Sequence, residues 1–245
     1  METTTPASDP AGGIPVERRL HRRWPVLGAV TAVIVVVLMG LVIVVRERGL
    51  PFSIDEEWLE ELLELRDPFW DGAALVMDFL GGGLMGVFVV PGLIVVTLLI
   101  YRRPWGAGYY AAATVLSAAL VQIIKNVVGR PRPEDMLVTS DFGSFPSGHV
   151  ANAATMAVAL GILFPRVWVW VAGVLYTVLM LLSRTYLGAH WLTDTIGGIV
   201  LGAGVAVLVW APFAARLHRE RRLPHRPFWM PQTGSRGPDG PAGSA

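Results

Sequence analysis

From residue 25 to residue 45 the chain is nearly all Val, Ile, Leu, Ala and Gly, and it carries no charge. A bilayer core is spanned by a helix of about 20 such residues, so this run is a membrane-span candidate. Five more runs qualify, at 82–101, 107–128, 149–164, 167–183 and 191–211. The composition agrees: 53% of residues are hydrophobic and 16% are charged, less charge than a soluble domain of 245 residues carries. The expected fold class is therefore all-α, a polytopic membrane protein with six transmembrane helices. The second run opens with Gly81, Gly82 and Gly83, and Pro91 marks its expected kink. The fourth and fifth are short and joined tightly through Pro165 and Arg166. The first run outlasts a signal peptide's apolar region and has no small-x-small site before Arg46, so it reads as an uncleaved signal anchor.

Lys and Arg in the short loops set the orientation. Arg18, Arg19, Arg22 and Arg23 precede the first span, Arg102 and Arg103 follow the second, Arg166 separates the fourth and fifth, and Arg216, Arg219, Arg221, Arg222 and Arg226 follow the sixth. With six spans these all fall on one side, which places both termini in the cytoplasm of a multi-pass cell-membrane protein. Residues 1–23 are then a disordered cytoplasmic tail, 24–212 the membrane domain, and 213–245 a basic, then Pro/Gly-rich, cytoplasmic tail. Between the first two spans, Ser53 and Glu56 fit a capping box, and Ile54, Trp58, Leu62 and Leu65 recur at helical spacing. The stretch 53–66 is expected to be a helix on the outer membrane surface. Asp55, Glu56, Glu57, Glu60, Glu61 and Glu64 form its solvated face.

Lys125, Arg130, Arg132 and Arg184 run against this charge trend, on the side opposite the other arginines. Basic groups at membrane depth are costly and usually functional. Lys125 is the one lysine in the chain. Composition alone allows either an arginine-biased genome or a site that wants a compact ammonium; the surrounding motif favours the second. No cysteine is present, which excludes disulfides, thiolate metal sites and a cysteine nucleophile.

Three clusters carry chemistry. Lys125 near the end of the third span is followed by Arg132, held in an extended segment by Pro131 and Pro133. Arginine offers a planar fork for two phosphate oxygens, and lysine a point charge. Pro146, Ser147, Gly148 and His149 open the fourth span, where a helix N-terminus presents backbone N–H groups to an anion. His149 on the first turn can donate a proton to a leaving oxygen. Ser183 and Arg184 precede His190 by seven and six positions, and Asp194 follows it by four, a spacing that stacks His190 and Asp194 on one helix face. The carboxylate can fix the imidazole tautomer, leave the other nitrogen free to attack, and stabilise the cation that forms. Of the five histidines, His21, His218 and His225 lie in basic tails and receive no role, and Arg130 receives none beyond proximity.

These residues resemble the type 2 phosphatidic acid phosphatase superfamily, in its membrane lipid phosphatase branch. The pattern is Lys-x6-Arg-Pro, matched at Lys125, Arg132 and Pro133; Pro-Ser-Gly-His, at Pro146, Ser147, Gly148 and His149; and Ser-Arg-x5-His-x3-Asp, at Ser183, Arg184, His190 and Asp194. The resemblance implies a helical-bundle phosphatase core with its site near the outer leaflet. It implies His190 as nucleophile, His149 as acid and then base, and Asp194 as orienting group. Lys125, Arg132, Arg184, Ser147 and Gly148 would bind phosphate, with no metal and no cofactor. The partner it implies is a lipid phosphate: phosphatidic acid, phosphatidylglycerophosphate or a polyprenyl diphosphate, with no nucleic acid. Two other readings stay open, a membrane phosphotransferase of the same superfamily and a non-catalytic phospholipid-binding protein.

Overall fold

The computed structural model describes residues 16–46, 50–223 and 227, with side chains from Trp24 onward. Among these residues the regular structure is helical throughout. Eight α-helices follow in order: α1 (Val16–Val45), α2 (Ser53–Glu64), α3 (Pro68–Gly81), α4 (Val90–Ile100), α5 (Pro104–Val128), α6 (Gly148–Leu163), α7 (Val167–Tyr186) and α8 (Leu192–Arg221), with a π-helical turn at Met85–Val89 ahead of α4.

Local chemistry sets several ends. Asp67 caps α3 by accepting from Phe69 N at 2.9 Å, with Pro68 in the first helical position. Pro104 starts α5, and Gly129, at φ +57°, ends it in the left-handed conformation that glycine adopts without strain. At α2 the capping register differs from the sequence expectation. Asp55, not Glu56, closes the first turn, accepting from Phe52 N at 3.2 Å.

Four helices are long and apolar enough to cross a membrane: Trp24–Val45, Pro104–Val128, Val167–Tyr186 and Leu192–Arg221. Pro68–Gly81 and Met85–Ile100 form a fifth candidate as a pair bent by 46°. The sixth expected span is α6, whose 16 residues fall short of the roughly 20 that a straight crossing needs. The second expected span began at Gly82, whereas the structure carries helix back to Pro68 and puts the break in the glycine triplet. Pro91 is accommodated directly behind the π turn instead of producing the main bend. Both expected tails shrink as well. Residues 16–23 are the first turns of α1, and 213–221 the last turns of α8, since their Glu, Arg and Leu content favours helix. The remaining tail residues, 1–15, 224–226 and 228–245, lie outside the described set.

Small residues let the central helices approach closely. A Cβ on Gly202 of α8 would lie 2.2 Å from Ala151 O of α6, and one on Gly198 would lie 2.7 Å from Ser147 O. Thr155 of α6 seals the contact, donating to Ala151 O at 2.8 Å or Gly202 O at 3.2 Å and meeting Ser117 Oγ of α5 at 2.9 Å. The main core cluster joins Tyr109, Tyr110 and Val121 of α5, Ala151 of α6 and Leu201 and Val205 of α8. Outward faces carry exposed Leu and Val side chains along α1, α4, α5 and α7, a surface suited to lipid tails.

Candidate active site

The three motif clusters meet at one end of the bundle around a cavity of about 960 Å³. Lys125, Arg132, Gly148, His149, Arg184 and His190 all line it. Ser147 and Asp194 stand behind this lining, both fully buried.

Lys125 occupies the last turn of α5, and its Nζ reaches both oxygens of Asp141 at 3.0 and 3.2 Å. Arg132 spans the loop, with Nη2 at 2.7 Å from Asp141 Oδ1 and 2.9 Å from Gly143 O, while Nη1 donates to Ala189 O. Asp141 is thus a shared counter-ion for two of the cations. Burial works to raise its carboxyl, but the hydrogen bond and charge of Lys125 and the charge of Arg132 outweigh this and hold it below the usual carboxylate range.

His190 sits in the turn between α7 and α8 with 2% of its surface exposed. Its Nε2 lies 3.3 Å from Arg132 Nη1. A guanidinium can only donate, so Nε2 is the accepting nitrogen and the ring proton belongs on Nδ1. Nδ1 faces Asp194 Oδ2 at 3.7 Å, an ion-pair separation longer than a hydrogen bond. Burial first, then the charges of Arg132, Arg184, Lys125 and His149, push the imidazole well below its ordinary range. His190 is therefore neutral at physiological pH, with the Nε2 lone pair turned toward the cations.

His149 and Arg184 converge on a residue absent from the motif pattern. Asp78 of α3 lies 3.0 Å from His149 Nε2 and also ion-pairs with Arg184 Nη1. A carboxylate inside the apolar stretch 73–80 was its sequence signal, because such a group is costly in a membrane helix unless it has partners. At the α6 terminus, Ser147 N donates to Asp194 O at 3.0 Å, so the backbone donors that face the cavity begin at Gly148. The Ser147 hydroxyl is buried without a partner among the described residues.

Asp55 and Arg130 differ most from expectation. Asp55 was expected on the solvated face of α2; it is fully buried and paired with Arg130 at 2.7 Å. Arg130 reaches Asp194 Oδ1 with its other nitrogen at 2.6 Å. The pairing explains the burial, since an ionised carboxylate leaves water only for a charged, hydrogen-bonded partner.

The fold and site together define a class of protein, a helical membrane bundle with a buried imidazole among three fixed cations, whose charge suits an oxyanion. Residues 106–217 match the PAP2 superfamily. A decaprenylphosphoryl-5-phosphoribose phosphatase of Mycobacterium tuberculosis is 30% identical over 129 residues, 49% of this chain and 68% of that protein. An undecaprenyl-diphosphatase of Sulfolobus acidocaldarius is 32% identical over 120 residues, 45% of this chain and 57% of that protein. The crystal structure of a transmembrane PAP2-type phosphatidylglycerolphosphate phosphatase from Bacillus subtilis superimposes with a TM-score of 0.67 at 25% identity, covering 77% of this chain and 96% of that one. The chain belongs to the PAP2 superfamily, as a multi-pass helical membrane protein.

Proposed function

We propose that this chain is a membrane phosphatase that hydrolyses a lipid phosphate or diphosphate through a phosphohistidine on His190. The observation that carries this reading is the orientation of His190. Its Nε2 lone pair faces Arg132 in the cavity that Lys125 and Arg184 also line, and its N–H faces Asp194. The substrate class follows from the cavity wall, which runs from these cations to the lipid-facing Val87, Phe88 and Val115. A phosphorylated headgroup fits the charged end while its hydrocarbon stays at membrane depth. The names of the relatives, which act on prenyl and phosphatidylglycerol phosphates, support the same class.

In the first step Nε2 of His190 attacks the terminal phosphorus, its bond to the leaving oxygen breaks, and His149 gives its proton to that oxygen, the alkoxide of a monoester or the bridging oxygen of a diphosphate. Lys125, Arg132, Arg184 and the N–H groups from Gly148 onward hold the phosphoryl oxygens as charge develops on them. Asp194 faces the imidazolium as it forms. In the second step water attacks the phosphohistidine, His149 takes a proton from it, the P–N bond breaks, and inorganic phosphate leaves. Each step runs on the chain's own residues and calls for no metal. Ser147 contributes by fixing the start of α6, through its N–H bond to Asp194 O.

The site belongs on the extracytoplasmic side, with both termini cytoplasmic. Arg102, Arg103, Arg166 and Arg219 gather at the other ends of the same helices, the distribution expected of cytoplasmic loops. Right-side-out vesicles carrying the full chain, given chelator and an impermeant aryl phosphate, are expected to release phosphate. Purified protein in detergent should do the same with phosphatidic acid, phosphatidylglycerophosphate and a polyprenyl diphosphate. His190→Ala should lose at least about a thousandfold in rate. Release that needs added metal, or a His190→Ala protein that turns over normally, rejects the mechanism; activity confined to inside-out vesicles rejects the orientation.

A further inference from the structure

Arg130 does not line the cavity, yet it is the largest fully buried side chain among the described residues, at 1% exposure. Its guanidinium joins two carboxylates whose side chains are both 0% exposed: Nη1 to Asp194 Oδ1 at 2.6 Å and Nη2 to Asp55 Oδ2 at 2.7 Å. Thr193 closes the ring. Its Oγ1 accepts from Arg130 Nη1 at 2.8 Å and donates to Asp55 Oδ2 at 2.8 Å, and its N–H donates to Asp55 Oδ1 at 2.8 Å. The guanidinium carbon also lies 5.6 Å from the Phe52 ring centroid and 5.7 Å from that of Trp191, so aromatic faces hem it in. Every polar contact of Asp55 in this ring runs to α8 or to the segment after α5, although Asp55 itself belongs to the short surface helix α2.

This arrangement has two consequences at Asp194. The first is geometric. Oδ1 is taken by Arg130, so the plane of the carboxylate is fixed and Oδ2 is left to accept from Trp191 N at 3.0 Å and to face His190 Nδ1. The second is electrostatic. One guanidinium set against two carboxylates leaves the buried cluster with a net negative charge beside an imidazole that becomes positive on phosphorylation. Were Asp55 neutral, Arg130 would be balanced by Asp194 alone, and the stabilising field at His190 would weaken.

We propose that Asp55 and Arg130 are positioning residues for the nucleophile: acting through Asp194, they fix the His190 imidazole and supply the net negative charge that its cationic phospho-form requires. This rests on the phosphohistidine reading given above. It makes α2 part of the machinery of phosphoryl transfer. Neither residue reaches the cavity, so their effect belongs in the rate of His190 phosphorylation and not in substrate affinity.

The test uses the full-length protein in detergent and a soluble aryl phosphate, with single-turnover rates and KM measured for the wild type, Asp55→Asn, Thr193→Val, Asp194→Asn and the Asp55→Asn/Asp194→Asn double variant, with His190→Ala as blank. Asp55→Asn is expected to slow phosphoenzyme formation by about tenfold to a hundredfold with KM within about twofold of wild type. Thr193→Val, which removes only the bridging hydroxyl, should slow it severalfold with the same KM. In the Asp194→Asn background, Asp55→Asn should add less than about a twofold loss, because its route to His190 is already cut. A folded Asp55→Asn protein with the wild-type single-turnover rate overturns the proposal. So does an equal loss in both backgrounds, or a change confined to KM. Should Asp55→Asn fail to fold, Thr193→Val decides by the same criteria. A wild type that releases no phosphate from any substrate, or a His190→Ala blank that does, instead overturns the phosphohistidine reading beneath it.

Discussion

Lys125 and Arg132, two of the three cations assigned to phosphate, share the carboxylate of Asp141. An incoming phosphate has to displace it, and Asp141 can swing aside because its side chain is 57% exposed. Competition of this kind weakens anion binding in proportion to the strength of the pair. Solvent at the exposed carboxylate limits that strength to about 1 kcal/mol. Asp141→Asn is therefore expected to lower the inhibition constant for inorganic phosphate about fivefold. An unchanged or raised constant would mean that Asp141 arranges the cations for phosphate instead of competing with it. At this scale the sequence was informative about which side chains meet at the cavity and silent about the carboxylates that come to them from elsewhere in the chain. Lys125, Arg132, His149, Arg184 and His190 were legible because each falls in a motif of fixed spacing. Asp78, Asp141 and Asp55 were not, because each is brought to its partner from another part of the chain, and a single Asp in an α2-like acidic run looks the same whether it faces water or an arginine.

At the scale of elements, the bend between α3 and α4 is the feature the sequence placed least well. The glycine triplet suggested the start of a helix and Pro91 suggested its kink, yet α3 runs up to the triplet and brings Asp78 to the site on its last turns. The reason for glycine there is proximity. A Cβ on Gly82 would lie 2.0 Å from His149 Nε2 and 2.4 Å from its Cε1, so alanine forces the ring off Asp78. Gly82 has φ −134°, which alanine adopts freely, so the cost falls on the histidine and not on the backbone. Displacing a proton donor by about 1 Å lowers rates by about a hundredfold, and Gly82→Ala is expected to lose about that much kcat while keeping its fold. Gly92→Ala, where a Cβ meets nothing within 4 Å, serves as the control and should match wild type. Equal activity in the two variants would remove His149 from the role of acid. By contrast, the apolar spans of α5, α7 and α8 could be read directly, since long apolar runs leave a chain few alternatives in lipid.

Across the whole molecule, the charged end of the cavity and its apolar wall belong to different parts of the bundle. Lys125 of α5, Arg132 of the loop after it, His149 of α6, Arg184 of α7 and His190 of the α7–α8 turn supply the cations and the histidines, while the wall is built from the π turn before α4 and the middle of α5. The first part was legible in the sequence and the second was not, because Val87, Phe88, Val115 and Ala118 look like any lipid-facing residues until their helices are set side by side. On the function proposed above, this division separates the chemistry from the choice of substrate. A soluble aryl phosphate needs only the charged end, whereas a lipid must also lay its chain along the wall. Ala118 of α5 is exposed and lines that wall away from the cations, so a bulky side chain there obstructs the chain and leaves the phosphate site intact. Ala118→Trp is expected to lower kcat/KM for lipid phosphates by about tenfold or more, a loss of about 1.4 kcal/mol in transition-state binding, with the aryl phosphate changed less than about twofold. Comparing phosphatidic acid with a polyprenyl diphosphate in the same variant then ranks how far each chain depends on the wall. Equal losses on lipid and aryl substrates would mean that the tryptophan perturbs the site itself, and no loss on either would mean that lipids reach the cations by another route.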